Sequence, residues 1–242
     1  KESANKKGEY SELLLLPGLR DTTHLWGRQW AVETSVKNRG NRKMIPRIVS
    51  AGYRVIAPDM IGMGRSDKPT DIHTHTVYVH AAWWLELISK LALDHITFFG
   101  QDWGGFTGLQ VVAHHPKYFR RVMISNSGLF LMPEPILNVP QGINREDYPV
   151  DPDTEIRTFH DFAANCAAKG FFKEDMSEFF HAWMIYALTG PELKASDNLR
   201  RDFGGIELTD DEARAYDAPF PDEIFMTGIR TLPSMGSMID TD

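Results

Sequence analysis

One acidic side chain stands between glycines in Gly100-Gln101-Asp102-Trp103-Gly104-Gly105, directly after the apolar run His95 to Phe99 and directly before a helical pattern. A carboxylate in that place can attack carbon. It is a weak nucleophile toward amides but adequate toward an sp³ carbon bearing a leaving group, so this residue type favours an ester-forming displacement. Gly100 and Gly104 leave space for a sharp strand-to-helix turn that lifts the Asp102 side chain above the sheet edge, the nucleophile-elbow pattern with Asp in place of Ser. The N-terminus of the following helix stabilises negative charge there. An Asp at such a junction can equally serve only as a helix cap, and the short pattern does not separate the two roles.

The elements that must hold this turn are legible around it. Short apolar runs alternate with helical patterns, Leu13 to Leu16, then Met44 to Ser50, then Tyr53 to Ala57, with helix between strands as in the βαβ units of a parallel sheet. Thr76 is placed to cap a helix in which Trp83, Leu87, Ile88 and Leu91 recur at helical spacing, and His95 to Phe99 reads as a buried strand. Gly104 to His115 reads as a helix closed by Pro116, and Arg121 to Ser125 as the next strand. From Leu129 the character changes. Five prolines fall between Pro133 and Pro152, followed by helical stretches carrying Phe159, Phe162, Phe179, Phe180, Trp183 and Tyr186. The expected architecture is α/β, with a mostly parallel sheet: a core over 1–129, a helical cap over 130–220, and a return to the core over 221–242.

Composition bounds the function. The 242 residues, 42% of them hydrophobic, suffice for one sizeable core with an insertion. A net charge of −7 and only scattered basic pairs such as Arg120-Arg121 and Arg200-Arg201 leave no continuous positive surface, which excludes nucleic acid as a partner. Cys166 is the only cysteine, so no internal disulfide can form, and a cytoplasmic protein is expected. No apolar run reaches the ~20 residues of a spanning helix, so no membrane partner is expected. The chain opens on Lys1 and closes on Met238 to Asp242 without a helix stop, as if cut at both ends, with the last core strands missing.

Three stretches carry a resemblance: Gln101 to Phe106, Arg54-Val55-Ile56-Ala57-Pro58-Asp59 through Gly62-Met63-Gly64-Arg65-Ser66-Asp67-Lys68-Pro69, and Asp217-Ala218-Pro219-Phe220-Pro221-Asp222. Together they resemble the haloalkane dehalogenases, from about Arg42 to about Pro233. The resemblance implies an α/β-hydrolase fold, no cofactor and no metal. It also implies hydrolysis of the carbon–halogen bond of a small haloalkane through an alkyl ester on Asp102, giving an alcohol, a halide ion and a proton. Trp103 would then donate its indole N–H to the departing halide and its backbone N–H to the oxyanion hole, because fixed donors lower the barrier where charge develops. Phe179-Phe180-His181-Ala182-Trp183 resembles the segment that brings a second halide-binding indole, Trp183, in the two-tryptophan subfamily. Phe162, Phe180 and Phe220 would line the pocket. Spacing alone would equally make Trp183 and these phenylalanines packing residues.

The chain also departs from that family. Where the family carries His-Gly and then an oxyanion donor, this sequence reads Pro17-Gly18-Leu19, making Leu19 the corresponding donor, and Gly27 to Asn41 is an apparent insertion. By the resemblance the catalytic histidine and its supporting acid belong beyond Asp242, since Asn126 occupies the place where another subfamily keeps its acid. Among the histidines present, His73 and His75, with His80 just beyond, read as solvated surface rather than a metal site, and His114-His115 suit a helix C-terminus. His181, beside Trp183, is the one histidine to test as a base. Two other functions stay open: an epoxide hydrolase, for which Tyr186 and Tyr216 could protonate the ring oxygen, and a truncated hydrolase remnant that does not turn over.

Overall fold

The structure, a computed structural model, describes residues 12–16, 44–125, 127–128, 159–168, 183–188, 190, 193–197 and 208–237. Contacts divide the chain into two units, Lys1–Ser66 with Val77–Phe130, and Asp67–Thr76 with Leu131–Asp242.

The first unit is an α/β sheet. Its elements are β1 (Glu12–Leu16), α1 (Met44–Ser50), β2 (Arg54–Ile56), α2 (Val77–Lys90), β3 (Ile96–Gln101), α3 (Asp102–His114) and β4 (Phe119–Ser125). The strands lie in the order β2-β1-β3-β4, and all three pairings are parallel. Parallel neighbours need long crossovers. Here α2 lies in the connection from β2 to β3, and α3 joins β3 to β4. The expected α/β class is therefore what the chain adopts. A parallel sheet is apolar on both faces, and β3 shows why: Phe99 packs against Ile45, Ile48, Val55 and Ala57. Phe98, on the opposite face, is fully buried with Phe119 edge-on to it.

Periodicity located the helices well but misjudged one face. α2 begins immediately after Thr76, yet its buried stripe is Val77, His80, Trp84 and Ile88, whereas Trp83 and Leu87 are half-buried and Leu91 is exposed. With Trp83 and Trp84 adjacent, hydrophobicity cannot choose the frame, and the residue that meets α3 decides it. The expectation that His75 and His80 are solvated is corrected: both are buried, and only His73 is exposed. His80 sits in the α2 stripe with its ring edge-on to Trp83, 4.8 Å between centroids. In the second unit, His75 donates through Nε2 to the Pro69 carbonyl at 3.1 Å. Burial pushes its pKa below the usual 6.5, against the raising effects of that hydrogen bond and of Asp71.

Every regular element among the described residues of the second unit is helical. They include α4 (Phe159–Ala168), the helical residues 183–188, α5 (Asp210–Asp217) and α6 (Thr227–Thr231). α5 starts from a capping box in which Thr209 Oγ1 accepts from the Glu212 N–H and the Glu212 carboxylate accepts from the Thr209 N–H. The Asp217 carboxylate accepts from the backbone N–H and the hydroxyl of buried Ser196, at 3.0 and 2.6 Å. Arg230 on α6 donates to the carbonyls of Ala187 and Gly190 at 2.8 and 2.9 Å and pairs with Glu223. It thereby donates to a carbonyl at the end of the 183–188 helix, where the last carbonyls have no intrahelical partner.

Candidate active site

Asp102 occupies the junction of β3 and α3 with φ +50°, a left-handed conformation that non-glycine residues rarely adopt and that costs about 1–3 kcal/mol when imposed. The residue at the capping position is Gln101, with the extended backbone of a cap (φ −133°, ψ 139°), and Asp102 is the first helical residue. A capping Asp would carry the extended backbone that Gln101 has. The side chain at 102 is partly exposed, and the turn beneath it is packed.

Glycine makes that packing possible at two positions. A Cβ on Gly100 would lie 2.6 Å from the Gly105 Cα and 2.5 Å from the Phe98 ring, and one on Gly105 would lie 2.5 Å from Ser127 Oγ and 3.2 Å from the Gly100 carbonyl carbon. The close approach of β3 to α3 thus runs through Gly100 and Gly105. The sequence pattern singled out Gly104, and the second contact glycine is one residue further on, where the first turn of α3 faces back on the strand.

Two hydroxyls fix the backbone of the turn. Ser127, just past β4, donates to the Asp102 carbonyl at 2.7 Å. Thr107 donates to the Trp103 carbonyl at 2.9 Å within α3 and accepts from the indole N–H of Trp84 at 3.1 Å, a buried bond that ties α2 to α3. The Trp103 ring is half-buried and meets Phe106 edge-on at 5.6 Å. Ser127, Thr107 and Trp84 carry no sequence signal of these contacts, because none belongs to a spaced motif.

The Asp59 to Pro69 stretch folds back on its own carboxylate. The Arg65 N–H donates to Asp59 Oδ2 at 3.0 Å, the Ser66 hydroxyl to the Asp59 carbonyl at 2.7 Å, and Gly64, at φ +49°, passes so close that a Cβ would be 2.3 Å from the Asp59 Cγ. Beside it, a cavity of about 230 Å³ lies in the first unit, lined by Pro58, Asp59, His80, Trp83 and Lys90 among others; Asp102 and Trp103 do not line it.

In the second unit, Phe162, Ile185, Tyr186, Leu193 and Met226 form a buried cluster, with Trp183 and Phe220 packed against it. Tyr186 is its centre: Trp183 stacks on it at 6.2 Å and Phe162 meets it at 5.8 Å. Phe220 is held by the Asp217 to Asp222 stretch, in which the Phe220 N–H donates to the Asp217 carbonyl and the Asp222 carboxylate caps the next short helix. Three of the residues expected at the site, Phe162, Trp183 and Phe220, are thus gathered in one cluster, while Asp102 and Trp103 adjoin at the elbow of the other unit. Leu19, Phe180, Asn126 and His181 lie outside the described residues, as does the Gly27 to Asn41 stretch. Among the described residues no group of three or more His, Cys, Asp or Glu could hold a metal ion. No described helix is long and apolar enough to cross a membrane.

Comparison with known proteins bears on the fold. A family model described as the alpha/beta hydrolase fold matches residues 13–178. A curated haloalkane dehalogenase of Psychrobacter cryohalolentis is 33% identical over 193 residues, which are 79% of this chain and 50% of that protein. The chain spans about half the length of the curated relatives it matches. Among solved structures, a haloalkane dehalogenase from Paraglaciecola agarilytica aligns with a TM-score of 0.58 and 24% identity, covering 96% of this chain and 58% of that one. An epoxide hydrolase from Vigna radiata aligns with a TM-score of 0.57 and 15% identity, covering 95% and 66%. At these identities the structural likeness speaks for the fold. With a family model over most of its length, a parallel sheet crossed by helices and an elbow at the end of β3, the chain belongs to the α/β-hydrolase fold family.

Proposed function

We propose that the chain carries the nucleophile and cap of a haloalkane dehalogenase, with Asp102 as the attacking carboxylate. The observation that supports this most is the left-handed backbone of Asp102 at the β3–α3 junction, a strained conformation with no structural benefit to a helix cap. The 33% identity to a curated haloalkane dehalogenase supports the substrate class. In this reading a carboxylate oxygen of Asp102 displaces halide from an sp³ carbon, forming an alkyl ester, and hydrolysis of that ester releases the alcohol.

The indole N–H of Trp103 receives the developing halide charge, and by resemblance Trp183 is the second donor and Phe162, Phe180 and Phe220 of a cap over 130–220 are pocket lining. The backbone N–H groups of Trp103 and Leu19 serve the ester oxygen. No cofactor is required, the partners are a small haloalkane and a halide ion, and the lack of any disulfide to form fits the cytoplasm.

Epoxide opening is the second reading, kept open by the cap tyrosines Tyr186 and Tyr216. It asks for a phenol donor, and both candidates, Tyr186 at 0% exposure and Tyr216 at 4%, are buried within the second unit.

Ester formation needs only the carboxylate, the halide donors and an aligned substrate. Given 1,2-dibromoethane, the chain should therefore release bromide and gain an alkyl group on the peptide containing Gln101-Asp102-Trp103, read by mass spectrometry. Asp102→Asn should do neither while staying folded. Undiminished bromide release by the Asn variant, or an adduct formed from an epoxide in preference to the bromoalkane, would overturn the proposal.

A further inference from the structure

We infer that Ser127 is a positioning residue for ester hydrolysis: its hydroxyl polarises the peptide whose N–H, on Trp103, faces the oxyanion. The inference rests on the reading of Asp102 as nucleophile and adds to it a residue that no motif marks. The carbonyl of Asp102 and the N–H of Trp103 belong to one peptide unit. Ser127 Oγ donates to that carbonyl at 2.7 Å, and electron density drawn toward the oxygen leaves the N–H more positive. The hydroxyl is held against backbone, because Gly105 leaves it room that a Cβ would fill at 2.5 Å. Thr107, by contrast, donates to the Trp103 carbonyl and so acts on the next peptide, whose N–H belongs to Gly104.

The two half-reactions should feel Ser127 differently. When the ester forms, the carboxylate gives an electron pair to carbon and its negative charge leaves with the halide, so no charge builds on the ester carbonyl. When hydroxide adds to the ester carbonyl carbon, the C=O π pair moves onto oxygen and makes the oxyanion. Collapse re-forms C=O and breaks the bond to the alkoxy oxygen, which takes the proton of the added hydroxyl and leaves as alcohol, restoring the Asp102 carboxylate. Only this second sequence loads the Trp103 N–H. One oxyanion donor is worth about 10²–10³ in rate, and a hydrogen bond strengthens its neighbour in a chain by roughly 10–30%, so removing the hydroxyl should slow hydrolysis by about two- to eightfold.

The test uses the full chain alkylated by 1,2-dibromoethane, freed of excess reagent and brought to raised pH, where hydroxide itself cleaves the ester. Ser127→Ala should lose the adduct about two- to eightfold more slowly than the parent, a larger effect than any it has on adduct formation, with Ser127→Cys between the two because a thiol is a weak donor. The Trp103 amide proton should move upfield in the same order. Parental hydrolysis in the Ala variant, or an unmoved Trp103 amide, would overturn the inference. If the Ala variant does not fold, the Cys variant decides by the same two measurements. Should the parent form no adduct, the nucleophile reading fails, and the amide shift still decides whether Ser127 polarises that peptide.

Discussion

The turn at Asp102 and the cluster around Tyr186 both hold residues whose types pointed to chemistry, and they are built on opposite terms. At the turn the backbone is under constraint: a positive φ at Asp102, glycines in contact at 100 and 105, and hydroxyls from Ser127 and Thr107 on consecutive carbonyls. At the cluster Phe162, Trp183, Ile185 and Tyr186 stand on ordinary helix, and the side chains are held by aromatic contact, Trp183 and Phe162 against Tyr186. Burial alone is reason enough for an aromatic residue at 162. It is no reason for a left-handed Asp. Strain that the fold does not need is the sharper pointer to a reacting group, whereas aromatic spacing is shared by packing and by binding.

This contrast can be broken at either end. The largest stability effect belongs to the cluster, where Phe162→Ala should cost about 3–5 kcal/mol in urea unfolding, since it empties a buried aromatic site; a loss under 1 kcal/mol would mean that Phe162 is not part of the packed core. Next comes Gly105→Ala, whose Cβ meets Ser127 and the Gly100 backbone. It should cost about 2–3 kcal/mol, and it should abolish alkylation of Asp102 even where the variant remains folded, because the turn must open to admit the methyl. Alkylation at the parental rate would show that the close approach is dispensable. Thr107→Val removes the acceptor of the buried Trp84 N–H and should cost about 1–2 kcal/mol, in the range for an orphaned buried donor. Equal midpoints for variant and parent would argue against that bond. Smallest is Trp183→Phe, which should weaken saturable quenching of tryptophan fluorescence by bromide about fivefold, the worth of about one hydrogen bond. An unchanged binding curve would leave Trp183 as packing only.

Much of the first unit was legible because its signals are local. The apolar run before Gly100, the glycines around Asp102 and the stop at Pro116 are all read within a few residues, and β3, α3 and β4 lie close to where they point. What stayed hidden depends on partners distant in sequence. Ser127 reaches Asp102 across 25 residues and Trp84 reaches Thr107 across 23, and neither spacing repeats any pattern. His75 and His80 stand in polar sequence yet are buried, His75 by the Pro69 carbonyl and His80 by the frame of α2. The Asp217 to Asp222 stretch was legible only as a likeness; its reasons, a carboxylate on Ser196 and another capping a turn, are tertiary.

The strand order has a consequence in time. β1 lies between β2 and β3, pairing Glu12 with Arg54 and Leu13 with Thr97, so its second neighbour is made roughly 80 residues after it. At about 5–20 residues per second, a ribosome leaves that interior edge of Leu13 to Leu16 without its partner for about 4 to 16 seconds. Contacts of such sequence separation also slow folding once the chain is complete, since loop closure must precede the pairing that rewards it. The elbow at the end of β3 therefore takes its shape late, and a chaperone that shields the leucine run until Gln101 has emerged should raise the yield of folded chain.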